Sequence, residues 1–219
     1  MNCILHINPI CLTWKDGDVH ILLERKDGSD LYRLPHRTLT VEHASPLECV
    51  QDAMKALTVD QSRIHFEHQP IVTQWDGQDA SELNAHIPFL VLTPPDVIKQ
   101  NEDIKLLPLD LVEQTKSEVD KKILETARQT LVRLIGSTSA CLNMLPAFFS
   151  NVEIKLIHNK VLNGYVNRMT LRKRYEDTGL VKSTGMRIQV QHGRQPQEMT
   201  PMIDKIHHFS SMISTNATE

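Results

Sequence analysis

The stretch "MLPAFFSNVEIKLIHNKVLNGYVNRMTLRKRY", residues 144 to 175, decides the architecture, because two helix starts follow one another in it. Ser150 and Glu153 are spaced as a capping box, in which each side chain satisfies a backbone N–H that the first turn leaves open, and Phe149 can staple against Ile154. Ile154, Ile157, His158, Val161 and Leu162 then line one face, and Asn163-Gly164 ends the helix. Asn167 caps a second helix, with Val166 placed to pack on Leu171. Two helices joined by so short a turn make a helix-turn-helix.

On the second helix, Arg168 to Asp177, Leu171 and Tyr175 share the inward face. That leaves Met169, Thr170 and Lys173 outermost, with Arg172 and Arg174 on the flanks and Arg168 at the start. A helix lying in a major groove needs outer residues for base edges and flanking cations for phosphates. Asn167, Arg168, Met169, Thr170, Arg172, Lys173 and Arg174 are therefore the candidate contacts. Beyond them, Leu180-Val181 and Met186 to Val190 read as short strands separated by a turn at Ser183-Thr184-Gly185, and the polar loop Gln191 to Pro196 follows. Arg187, His192 and Arg194 are candidates there for a phosphate or a minor groove. Helix, helix, strand, wing, strand is the winged-helix order, over Pro146 to Pro201. The competing reading is that the cations only solvate one face of a small α/β interaction domain.

Upstream, the chain reads as strands at Ile4 to Trp14, Val19 to Arg25, Ile71 to Trp75 and Ile87 to Thr93. Asp16-Gly17-Asp18 joins the first two as a hairpin, Asp27 to Asp30 is a loop, and Pro94-Pro95 stops the fourth strand. A helix lies between the second and third strands, since Ser45 can cap it, Pro46 fits its first position, and Leu47, Val50, Met54 and Leu57 recur at helical spacing. A second begins at Ser117, with Val119, Ile123, Leu124, Ala127, Leu131, Leu134 and Ile135 on one face, and Gly136-Ser137-Thr138 ends it and begins a linker. The pattern predicts an α/β sandwich over residues 1–138, followed by a winged helix-turn-helix domain over 139–219.

With 219 residues and 40% hydrophobic content, the chain can bury one core or two modest ones. No apolar run is long enough to span a membrane, and the apolar start through Trp14 lacks a basic leader, so a cytoplasmic protein is expected. Cys3, Cys11, Cys49 and Cys141 form no C-x-x-C pair, which argues for free thiols. His65 and His68 lack a nearby third ligand, and no metal site is expected. Residues 1–138 hold 14 Lys/Arg against 21 Asp/Glu, whereas 139–219 hold 10 against 6, so the acidic half and the basic half face different partners.

With those residues in view, the sequence resembles the Nudix-related transcriptional regulators, in which a Nudix-like sensor domain precedes a winged helix. The similarity runs over nearly the whole chain and is best in "MLPAFFSNVEIKLIHNKVL" and "VNRMTLRKRY". Asn167 stands where the family usually has Asp, Thr170-Leu171 where it has Asn-Phe, and Arg172 and Arg174 match its basic positions. Gly193-Arg194 followed by Pro196 is similar to its Gly-Arg-Pro wing, with Gln195 inserted. Leu34-Pro35 and the helix after Pro46 lie where the Nudix box would run. Aligned without gaps, the box glycine falls on Arg37, its first glutamate on His43, its arginine on Gln51, and its last two glutamates on Lys55 and Ala56, leaving Asp52 as the acidic residue.

Hydrolysis in that fold needs several carboxylates to hold divalent metals, so the resemblance implies a disabled enzyme without catalytic residues, metal or cofactor. It also implies a homodimeric repressor on a pseudo-palindromic operator, serving NAD-metabolism or related genes and sensing ADP-ribose or a related nucleotide. Arg25, Arg33 and Arg37 are placed either to hold phosphates of that effector or to end strands at the surface, and the residues leave both open. Two other functions stay open beside this one: a Nudix-type hydrolase with an accessory C-terminal domain, and a winged-helix adaptor for a protein or RNA.

Overall fold

The structure is a computed structural model that describes residues 2–25, 31–40, 42–76, 82–99, 101–112, 118–189, 195–202 and 204–213. Its elements run β1 (Asn2–Lys15), β2 (Asp18–Arg25), β3 (Tyr32–Arg33), β4 (Arg37–Thr38), α1 (Pro46–Leu57), β5 (His65–His68), β6 (Val72–Asp76), β7 (Glu82–Leu92), β8 (Ile104–Pro108), α2 (Leu109–Val112) and α3 (Glu118–Ser137). Then come β9 (Phe149–Ser150), α4 (Asn151–Val161), α5 (Arg168–Tyr175), β10 (Val181–Arg187) and β11 (Gln197–Pro201).

The first eight strands form one mixed sheet. Its path is β3-β2-β1-β7-β5, with β4 on β1, β6 on β7 and β8 on β2. The long strands β1 and β7 pair in parallel from Asn2–Glu82 to Leu12–Leu92, and the other pairs are antiparallel. Asp16 and Gly17 between β1 and β2 both take positive φ, 52° and 80°, as a two-residue hairpin turn matched to strand twist requires. Strand alternation sends Ile7, Cys11 and Leu22 to one face, where Cys49, Val50, Met54 and Leu57 of α1 cover them. Ser45 caps α1, accepting from Glu48 N at 3.2 Å. Ile10, Leu12, Leu90 and Leu92 point to the other face, beneath Leu124, Ala127 and Leu131 of α3. This is the α/β/α sandwich expected.

Three local expectations change. The sequence reading missed β3, β4, β5 and β8, because two to five residues with mixed polarity carry no resolvable period. The linker expected after Gly136 is instead a buried turn: Thr138 through Leu145 are almost fully enclosed, and their core is continuous with the sheet on one side and with α4 and α5 on the other. Finally, Ser183 to Gly185 does not separate two strands. β10 runs through it as one strand with an irregular register against β11, and Gly185, at φ 84°, absorbs the kink.

The loop at residues 27–30, Ser117 and Val190 lie outside the described residues. No helix among the described residues is long and apolar enough to cross a membrane. The four cysteines are free, Cys3 exposed and the others buried.

Candidate nucleic-acid interface

The capping box of α4 is present in full, with Ser150 N donating to Glu153 Oε2 at 2.8 Å. Asn163, at φ 48°, turns the chain out of the helix. Asn167 enters α5 in extended backbone, and its side chain accepts from Met169 N at 2.8 Å. Its oxygen is thereby engaged in starting the helix rather than turned outward. Leu171 and Tyr175 point into the core, while Arg168, Met169, Thr170, Arg172 and Lys173 are exposed. Arg168 and Lys173 form no ion pair among the described residues. Arg172 stands 3.9 Å from Glu176 and 3.6 Å from Asp177, a loose contact at 58% side-chain exposure.

Beside this ridge, β10, β11 and β9 form a three-stranded sheet. A groove of about 540 Å³ runs between it, the start of α4 and the side of α5 that carries Arg168, Leu171, Arg172 and Tyr175, and Lys155, Met186, Arg187 and the acidic Glu176 also line it. The exposed Arg187 braces the hairpin by donating from Nη1 to Gln195 O at 3.2 Å. His192 and Arg194, expected at the wing tip, lie outside the described residues. The groove can take a polyanion on its cations and an apolar edge on the exposed Met186, while the exposed Met169 lies on the ridge outside it.

Arg174 is a correction. The helical wheel puts it on a flank of the ridge, but it is 9% exposed and faces the protein. Its Nη1 donates to Gly136 O at 2.9 Å, Nη2 donates to Ser211 O, and the guanidinium lies 4.6 Å above the Phe209 ring. Carbonyls at the end of α3 lack intrahelical donors, and a planar fork can serve two oxygens at once. That demand turns the side chain inward.

Next to it lies a buried polar seam. His158 Nδ1 donates to Ile154 O at 2.7 Å, so its Nε2 is left to accept from the Tyr175 hydroxyl at 3.2 Å. That hydroxyl also reaches Thr138 O at 3.3 Å and accepts from the Cys141 thiol at 3.2 Å. Burial pushes His158 down to about 4 and Cys141 up to about 12, and raises Tyr175 well above its usual range. All three are neutral at pH 7, and together they join the end of α3 to α4 and α5.

In the N-terminal half, the three candidate arginines do not converge. Arg37 makes a two-pronged ion pair with Glu24, Nη1 to Oε2 at 2.9 Å and Nη2 to Oε1 at 2.7 Å, and this partner raises its already high pKa. Arg33 sits opposite Glu24 in the β2–β3 ladder and so shares that face. Arg25 is paired one residue further, with Tyr32, and points to the other face, into an open depression with Tyr32 and Lys105, whose ammonium lies 4.1 Å above the Tyr32 ring. On α1, the Asp52 carboxylate accepts from Lys55 at 2.7 Å, which holds Asp52 below its usual range.

The sequence reading missed a histidine cluster on the sheet face away from α1. His6 stacks on His86, centroids 5.1 Å apart, and lies 6.2 Å from His36. His6 Nε2 donates to Asn84 Oδ1 at 3.0 Å and His86 Nδ1 to Asn8 Oδ1 at 3.1 Å, while His6 Nδ1 is buried without a partner among the described residues. Burial first, and then the nearby Arg33, pushes His36 below its usual pKa. The available signal was a pair of polar residues two apart in each of two apolar strands, His6/Asn8 and Asn84/His86, which puts all four on one face. Among the described residues, no group of three or more His, Cys, Asp or Glu is placed to hold a metal ion.

Taken together, the geometry defines a class: a Nudix-type α/β/α sandwich fused to a winged helix. NrtR of Shewanella oneidensis has this fold in its crystal structure with a 27mer DNA, where the TM-score is 0.81 at 19% identity over 96% of this chain and 99% of that one. NrtR without DNA superposes at 0.78, also at 19% identity, over 95% and 99%. A MutT/nudix family protein from Enterococcus faecalis reaches 0.63 at 12% identity over 93% and 89%. No family model matches the chain, and no curated protein matches it in sequence.

Proposed function

We propose that this protein is a sequence-specific DNA-binding transcriptional regulator, a repressor that senses a nucleotide-type ligand such as ADP-ribose through a Nudix-like domain without hydrolysing it. The reading divides the chain into a sensor at 1–138 and a DNA-binding domain at 139–219, and it takes the protein to be a cytoplasmic homodimer on a pseudo-palindromic operator. The observation that carries it is the α5 ridge. Arg168 and Lys173 stand exposed without acidic partners among the described residues, beside a groove lined by Lys155, Arg168, Arg172 and Arg187, in a chain with the fold that NrtR shows when bound to a 27mer DNA. Arg168, Met169, Thr170, Arg172, Lys173 and Arg187 are the contact residues of this surface, with His192 and Arg194 assigned to the wing tip.

Loss of hydrolysis rests on the α1 face. Lys55 occupies a helix position that the resemblance gives to a metal-binding glutamate, and it neutralises Asp52. Arg37 fills a glycine position and holds Glu24 in a two-pronged pair. These two cations cannot replace a carboxylate set that activates water on divalent metals. Arg33 and Arg37 are left as the effector contacts on that face, and Arg25 serves a separate depression.

Anisotropy titration against duplexes selected from a random library tests the assignment. Affinity is expected to fall ~10³-fold between 50 and 200 mM salt for about six neutralised phosphates. A flat salt response would remove the DNA reading. Magnesium-dependent release of AMP from ADP-ribose would replace the sensor with a hydrolase.

A further inference from the structure

Gly136 and Ser137 lie at the carboxyl end of α3, where carbonyls have no helical donor. Donors come instead from the C-terminal segment and from α5. Ile213 N and Arg174 Nη1 both donate to Gly136 O at 2.9 Å, and Phe209 N donates to Ser137 O at 2.9 Å. Ser139 N donates to His207 O at 2.9 Å, and His207 N returns a bond to Ser139 Oγ at 2.9 Å. Residues His207 to Ile213 are thus strapped across the end of α3. The strap also holds Arg174 from its other side through Ser211 O and Phe209, and Phe209 meets Tyr175 edge-on at 5.5 Å.

We propose that Arg174 is a positioning residue: with the strap His207–Ile213 it clamps α5 to the end of α3, sets the angle at which the cationic ridge is presented, and touches no phosphate. The inference rests on the regulator reading for its consequence but not for its geometry. One guanidinium bridges a carbonyl of α3, a carbonyl of the strap and an aromatic face. A lysine at this position would reach only one of them, because an ammonium is a point charge without a planar fork. Since α3 packs along its length on the sheet, the clamp makes the direction of the ridge a property of the sensor half.

The test uses the full chain carrying Arg174→Lys, Arg174→Gln, or a stop after Lys205. Binding is measured across salt concentrations to a duplex selected by the wild type and to an unrelated duplex of equal length, and hydrogen exchange is followed without DNA. The expected result is faster exchange in α5 and at the Phe209 and Ile213 amides of the Arg174 variants, with α1 unchanged as proof of folding. Discrimination between the two duplexes should fall at least ~10-fold, with the slope of log affinity against log salt kept. A slope shallower by about 0.9, with exchange in α5 unchanged, would make Arg174 a phosphate contact and overturn the clamp. Unchanged α5 exchange in all three proteins would overturn it as well. If the wild type selects no DNA, the regulator reading fails, while exchange still decides whether the clamp exists.

Discussion

Arg168 and Lys173, on the outer side of α5, reach solvent with no carboxylate paired to them among the described residues, whereas Arg174, next in sequence to Lys173, is turned into the protein onto two carbonyls and a ring. The same contrast recurs in the N-terminal sandwich, where Arg37 is held by Glu24. Cations clustered in sequence are therefore not one functional set. What separates them is the presence of an internal acceptor within reach. Arg174 has the Gly136 and Ser211 carbonyls and the Phe209 ring within reach, and a planar guanidinium serves all three at once, sharing Gly136 O with Ile213 N.

Acid offers the largest lever on this contrast, because the seam behind α5 is held neutral. His158 has a folded-state pKa of about 4, below its ordinary value near 6.5, so between those values the unfolded chain binds more protons. Its contribution is present in full above about pH 6.5 and is lost as pH falls toward 4, on the order of 3 kcal/mol. Thermal unfolding at stepwise pH should show this loss, and His158→Gln should flatten the profile while lowering the plateau. An identical acid slope in the variant would move the lability to other groups.

Removing the outer cations should act on binding alone. Arg172→Ala combined with Lys173→Ala is expected to cost roughly 1–3 kcal/mol in DNA affinity, with stability changed by less than ~0.5 kcal/mol. A matching drop in melting temperature would show that the ridge is structural after all.

The smallest effect belongs to the N-terminal sandwich. Glu24→Gln leaves Arg37 without its anion, and since the pair is partly solvated the stability cost should stay within ~1 kcal/mol. Calorimetric titration with ADP-ribose should then show tighter binding if Arg37 serves the effector. Unchanged affinity would take Arg37 out of the site.

Much of this could be read along the chain. The capping box at Ser150 and Glu153, the cap at Asn167, the apolar face of α3 and the hairpin at Asp16-Gly17 each depend on neighbours a few residues away, and each stands where the residues put it, whereas β7 begins at Glu82, five residues before the expected Ile87. β3, β4, β5 and β8 escaped because strands so short are made by their partners, mainly β1, β2 and β7. The histidine cluster escaped for a related reason, since His6 and His86 meet only through the parallel register of β1 and β7.

The sequence by itself determined where α1, α4 and α5 begin, which face of α3 is apolar, and that the second half is basic, because those properties follow from local periodicity, capping chemistry and composition. Tertiary structure alone decided that the expected linker is core, that Arg25 parts from Arg33 and Arg37, and that Arg174 leaves the ridge for Gly136 and Ser211. Each of those outcomes depends on which distant backbone oxygen, carboxylate or apolar surface arrives beside the residue, and no local pattern encodes that partner.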